Sequence, residues 1–178
     1  QKSRDGKFIF CLSESKLTTE VLAIPSDSTG TTLRSLLGRT DNVKYYAGHR
    51  AGRFYYVTNR DGAKNYKVAT APVAASAQLT DLIPHNPAVK IDDFDLFDGH
   101  LVLRERENGL PHLRVHDFAT GKAQRLEMPE AAYEVAADRN WEFDTAEYRF
   151  NYQSLVRPPT VFAANLATGG RTLVKQTE

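Results

Sequence analysis

Residues Leu101–Gly121 read LVLRERENGLPHLRVHDFATG, two apolar-rich runs on either side of Glu107-Asn108-Gly109 that close on Thr120-Gly121. Asn-Gly supplies the positive-φ positions of a tight turn, so the stretch reads as a β-hairpin. The same arrangement returns along the chain. Stretches beginning at Lys7 (KFIFCLSESKLTTEVLAIPSD), Arg53 (RFYYVTNRDGAKNYKVATAPV), His100 and Tyr148 (YRFNYQSLVRPPTVFAANLATG) are spaced by 46, 47 and 48 residues. The turn falls at Asp61-Gly62 in the second copy and at Pro158-Pro159 in the fourth. A near-constant period marks a repeat rather than an accident of composition.

Each hairpin has company. A further short strand is expected after it in TTLRSLL from Thr31, LTDLIPH from Leu79, AQRLEMP from Ala123 and RTLVKQ from Arg171. Another is expected before every hairpin except the first: VKYYAG from Val43, AVKIDDFDLF from Ala88 and YEVAA from Tyr133. Four antiparallel strands in roughly 40 to 50 residues, repeated in one order, are the pattern of a β-propeller blade, whereas a sandwich would not repeat that order. The fold class is therefore all-β, a propeller of about four blades: residues 1–40 an incomplete blade, then 41–86, 87–130 and 131–178. APVAASAQL and MPEAAYEVAA have helical composition but fall where the repeat demands turn or strand. Rings hold roughly 4 to 8 blades, so the chain is either a degenerate four-bladed ring or a piece of a larger one.

Composition excludes several roles. With 23 basic and 22 acidic residues in 178 and a formal charge of +1, there is no electrostatic footprint for nucleic acid or an anionic membrane. No apolar run approaches a membrane span, and no signal peptide opens the chain. The chain begins at Gln1 rather than Met, and the expectation is that it starts within a longer protein. Its one cysteine, Cys11, sits in the apolar run KFIFCLS and is expected to be a buried thiol in a protein of a reducing compartment.

FYYVTNRDGAKNYKVATAPV, the block from Leu82 to Thr120 with its Arg-Glu-Arg-Glu-Asn-Gly-Leu centre, FDTAEYRFNYQSLVRPPTVFAANLATG and the ending RTLVKQTE resemble the second half of the propeller in the oligopeptidase B branch of the prolyl oligopeptidase family of serine peptidases. Gln153, Ser154 and Asn165 depart from the family pattern without touching a catalytic position. The resemblance spans essentially the whole chain. It implies a seven-bladed ring, an α/β-hydrolase domain beyond Glu178, cleavage of short peptides after Arg or Lys, and no cofactor.

The residues themselves are catalytically silent. Hydrolases of this kind need a Ser on a G-x-S-x-G elbow, and none of the serines at positions 3, 13, 15, 26, 28, 35, 76 and 154 has one. His112 and His116, four apart on a strand, share one face without forming a metal-ligand pattern, and His49, His85 and His100 are expected at turns. No catalytic, cofactor or metal residue is assigned. In RERENG, alternation puts Arg104 and Arg106 on one face and Glu105 and Glu107 on the other, as members of cross-strand pairs on a solvated rim or in a blade-to-blade contact, with contact to peptide or hydrolase domain as the alternative. Asp92 and Asp93 in KIDDFDLFDG, and Glu134 in YEVAA, lie on strands expected to line the channel and are the candidates for attracting basic peptides there. The aspartates lack the regular loop spacing of a calcium motif.

The function that the resemblance implies is the substrate-gating, active-site-covering portion of a cytoplasmic serine oligopeptidase. Its partners would be peptide substrates and the hydrolase domain of the same chain. The alternative is a non-enzymatic propeller that binds partner proteins. A propeller glycosidase would need paired carboxylates, for which Asp92 and Glu134 are the available pair. A severed ring is expected to expose blade faces carrying Phe8, Phe10, Phe150 and Tyr152 and so to self-associate.

Overall fold

The structure, a computed structural model, describes residues 1–30 and 32–178. Its strands make antiparallel meanders, each sheet ordered as its strands follow in sequence. Two compact units divide the chain, Gln1–Pro87 and Ala88–Glu178. The first unit holds the sheet β1 (Phe8–Glu14), β2 (Thr19–Pro25) and β3 (Arg34–Ser35), and the sheet β4 (Tyr45–Arg50), β5 (Arg53–Thr58), β6 (Lys67–Pro72) and β7 (Thr80–Ile83). The second holds β8 (Val89–Leu96), β9 (His100–Glu107), β10 (Leu110–Asp117) and β11 (Ala123–Arg125), and then β12 (Tyr133–Ala137), β13 (Glu147–Ser154), β14 (Thr160–Asn165) and β15 (Arg171–Gln176). No helix among the described residues is long and apolar enough to cross a membrane.

Local chemistry explains these elements. The β9–β10 turn carries Asn108 at φ 50° and Gly109 at φ 83°, the left-handed pair that a two-residue hairpin requires. Asp61 and Gly62 are also left-handed, but they sit in a short 3-10 turn inside a longer connection between β5 and β6. APVAASAQL supplies one 3-10 turn, Val73–Ala75, and MPEAAYEVAA ends in strand β12. The strand expected from TTLRSLL is reduced to the two residues of β3, and Thr31 lies outside the described residues. The first sheet has a stub of the strand that its sequence lacked. Lys2 bridges Ile9, and the Phe10 amide donates to the Gln1 carbonyl at 2.7 Å.

Each unit buries one face of each of its sheets against the other. In the first, Phe10, Val21 and Ala23 meet Tyr45, Phe54, Tyr56 and Ala71, with Phe54 edge-on to Phe8 and Phe10. In the second, Val102, Leu113 and Val115 meet Val135, Tyr148, Phe150, Tyr152 and Phe162. This packing corrects the expected exposure of the aromatic residues. Phe10, Phe150 and Tyr152 are 5%, 1% and 2% exposed, and Phe8 is half-buried. Strand alternation turns them toward the partner sheet of their own unit and leaves the intervening residues outside.

The outward face of the first sheet carries Ile9 and Cys11 opposite Ile24 and Leu22. Cys11 is therefore exposed, against the expectation of a buried thiol: its neighbour Phe10 takes the inward position. The outward face of the last sheet carries Arg149, Asn151 and Gln153, all exposed.

β-Bulges occur at corresponding places in the second and fourth sheets. Leu82 is the extra residue where β7 meets Val68 and Ala69, and Val174 where β15 meets Val161 and Phe162. A bulge on an outer strand disrupts the row of free backbone groups that would otherwise template pairing with another chain.

Candidate functional site

β8 contains a third bulge. Ile91 pairs with Glu105 and Asp93 with Arg104, so Asp92 is the residue without a partner across the ladder. Strict alternation would send Asp92 and Asp93 to opposite faces, but the extra residue brings both carboxylates to the Arg104–Arg106 face of β9. Asp92 Oδ1 accepts from Lys90 Nζ at 2.7 Å and Oδ2 from Arg106 Nε at 3.1 Å. Burial pushes the Asp92 carboxyl up, and the hydrogen bonds and charges of Lys90 and Arg106 outweigh it, holding the group below the usual carboxylate range. Asp93 stands 3.6 Å from Arg104 Nη2 and accepts the Phe94 amide, with 60% of its side chain exposed. Three cations thus face two carboxylates at this strand end.

Glu134 projects from β12, exposed, with Gln153 opposite it on β13. Both β8 and β12 begin beside the connections Glu107–Leu110 and Ser154–Thr160, because Val89 pairs with Glu107 and Tyr133 with Ser154. Asp92, Asp93 and Glu134 accordingly lie toward the starts of the two first strands of this unit. They do not form one contact cluster.

Of the two settings expected for RERENG, the solvated rim does not hold for Glu105. It is 1% exposed, receives Arg114 Nη2 at 2.5 Å and lies 3.9 Å from Arg125 Nη2, while Arg125 Nη1 binds Glu107 at 2.6 Å. The alternation is as expected, but a β-strand places every second residue on a covered face, and RERENG contains no signal for which face that is. His112 Nδ1 lies 3.1 Å from the Tyr133 hydroxyl, and burial first, then the Arg125 charge, holds its imidazole below the ordinary range. Among the described residues no group of three or more His, Cys, Asp and Glu could hold a metal ion.

In the first unit, His49 also departs from expectation. It lies on β4, buried, with Nδ1 2.6 Å from Asp5 Oδ2. Asp5 Oδ1 accepts from Ser3 Oγ at 2.6 Å and from the Lys7 amide at 3.1 Å. Burial raises the Asp5 carboxyl, and the bonds from Ser3, Lys7 and His49 override it and lower it. The order Ser–Asp–His differs from a catalytic triad, because the serine hydroxyl donates to the carboxylate rather than to the imidazole. Ser26 and Ser76 likewise donate to the Gly6 and Leu36 carbonyls, and Ser35 donates to Glu20. These hydroxyls close turns and tie strands together. Nothing in the sequence pointed to the Asp5–His49 pair, whose members are 44 residues apart.

Antiparallel meanders of three or four strands, packed face to face within each unit, are the architecture of a propeller-type module. The chain belongs to the prolyl oligopeptidase family: residues 1–177 match its N-terminal beta-propeller domain. It is 36% identical over 177 residues to the dipeptidyl aminopeptidase BI of Pseudoxanthomonas mexicana, covering 98% of this chain and 24% of that protein. It is 33% identical over 169 residues to Protease 2 of Moraxella lacunata, covering 94% of this chain and 24% of that one. Oligopeptidase B from Trypanosoma brucei, in its closed form with covalently bound antipain, has the same fold over 100% of this chain and 27% of its own, with a TM-score of 0.95 at 24% identity. The chain spans about a quarter of the length of these relatives.

Proposed function

We propose that this chain is the part of a serine oligopeptidase propeller that covers the peptidase active site and admits short peptides to it. The observation that carries the reading is the match to the family's N-terminal propeller over residues 1–177, in a chain where Ser3 donates to a carboxylate and Ser26 and Ser76 to backbone carbonyls. In this reading residues 1–40 are an incomplete blade and 41–86, 87–130 and 131–178 are whole blades of a seven-bladed ring. The parent protein works in the cytoplasm and cleaves after Arg or Lys. Asp93 and Glu134, the exposed acids of β8 and β12, draw basic peptides by long-range attraction, while Asp92 is spent holding Lys90 and Arg106.

The test is active-site labelling. A fluorophosphonate should label one serine of the full-length parent, outside residues 1–178, and that parent should hydrolyse fluorogenic peptides with Arg or Lys before the scissile bond. The 178-residue chain should do neither. Stoichiometric labelling of a serine within the chain would overturn the reading, and a parent without any labelled serine would leave a partner-binding propeller in its place.

A further inference from the structure

Ser154–Thr160, between β13 and β14, is a fixed loop with an apolar tip. The Ser154 amide donates to the Arg157 carbonyl at 3.1 Å, the Val156 amide to Ser154 Oγ at 3.2 Å, and Thr160 Oγ1 to the Pro158 carbonyl at 2.7 Å. Arg157 Nε binds Glu130 at 3.1 Å, and Tyr152 donates its hydroxyl to the same carboxylate, so the base is anchored to the connection before β12. Two successive prolines restrict it further. On this scaffold Leu155 and Val156 stand 97% and 81% exposed. A loose polar loop would need no explanation. A braced loop presenting two aliphatic side chains to water is an ordered contact whose entropy of binding is already reduced.

The direction of the chain says what covers it. β15 runs antiparallel to β14, Gln176 pairs with Thr160, and the Thr177 amide donates to the Pro159 carbonyl at 3.0 Å. Polypeptide continuing past Glu178 would emerge beside Leu155 and Val156. The chain matches only 24% of its curated relatives' length, and the domain it matches is the N-terminal one of its family, so members of the family carry further polypeptide beyond that domain. The opposite end of this sheet, between β12 and β13, carries a single exposed aromatic, Trp141, away from that exit.

We infer that the loop Ser154–Thr160 is a docking surface for the peptidase domain of the same polypeptide, with Leu155 and Val156 inserted into an apolar recess of that domain. The inference rests on the reading of the chain as part of a peptidase. The loop and the adjoining strand end fix which side of the sheet faces the active site. They also make domain opening a separation that uncovers this tip.

The experiment uses the full-length parent in a Cys11→Ser background, with other reactive cysteines removed. Single variants Leu155→Cys, Val156→Cys and Trp141→Cys are labelled with a maleimide, and the rates are compared over a hundredfold dilution. All three sites are exposed in this chain, so packing within it cannot separate them. The expected result is labelling at 155 and 156 about tenfold or more slower than at 141, independent of protein concentration. Equal rates, or slower labelling at 141, overturn the docking. Protection that vanishes on dilution assigns the tip to a second copy and overturns it also. Fluorophosphonate labelling of the same samples reports separately on the peptidase reading: a labelled parent with fast thiols at 155 and 156 sinks the docking alone, and an unlabelled parent sinks both.

Discussion

Removing either partner of the Glu105–Arg114 pair breaks one bond, yet the two removals should cost different amounts. The carboxylate is 1% exposed and the arginine side chain 28%, at a separation of 2.5 Å. In Glu105→Gln the amide keeps the shape and an acceptor, and water can reach the orphaned guanidinium. The loss is then the difference between a charge-assisted and a neutral hydrogen bond, about 1 kcal/mol. Arg114→Met keeps the aliphatic stem but leaves a carboxylate shut away from water, whose nearest remaining cation is Arg125 at 3.9 Å. Breaking a buried pair in that way costs about 3–5 kcal/mol. The double variant should recover part of this, because no charge is then stranded, giving a coupling of roughly 1–3 kcal/mol. Urea unfolding of the three variants at neutral pH, followed by far-UV circular dichroism, reads these values. With a slope of about 1–3 kcal/mol per molar urea, the Arg114→Met midpoint should fall by about 1–5 M. An Arg114→Met variant no less stable than Glu105→Gln would refute the reasoning, since the argument depends on which charge is stranded.

Other expectations follow from the same geometry. Asp5 has its carboxyl lowered below 3.8 in the folded state, so its stabilisation is present above that value and drains away as the pH falls through the lower, folded one. Asp5→Asn should therefore be less stable than the native chain at pH 7, and urea midpoints should converge toward pH 2; a constant gap would remove Asp5 from the acid response. In the full-length parent, Asp93→Asn with Glu134→Gln should slow capture of a dibasic peptide at low salt and leave it unchanged at about 1 M, where screening reduces the Debye length to about 3 Å. A salt-independent effect would end the steering role. Cys11, exposed on the outward face of the first sheet, should react with maleimide in the 178-residue chain at nearly the rate of a small-molecule thiol; a tenfold slower reaction would place it under cover.

The strands were legible where the sequence carried a physical signal for them. Asn108-Gly109 could only be a tight turn, and the YEVAA and RTLVKQ expectations coincide with β12 and β15. Alternation within RERENG was legible too, since Arg104 faces Asp93 and Glu105 faces Arg114. Which alternate face would be covered was not. Cys11 and Phe10 have similar apolar character in KFIFCLS, and only packing against Phe54 decides between them. The Asp5–His49 pair joins residues too far apart in sequence for any local pattern to announce it. Asp92 was visible as an acid on a first strand, but its engagement with Lys90 and Arg106 required a bulge that two adjacent aspartates do not declare.

That bulge gives β8 a spare residue. Val89 and Ile91 before it, and Phe94 and Leu96 after it, all face the same side although the interval across the break is three residues instead of two. Excising Asp92 would heal the ladder into a regular strand without turning any of those four side chains over, whereas excising Ile91 or Phe94 would remove a side chain from the covered face. The cost would fall on the ties to Lys90 and Arg106 and leave the interior in phase. Position 92 is therefore a place where lineages can gain or lose a codon while conserving the architecture, and length variation within this strand should concentrate there.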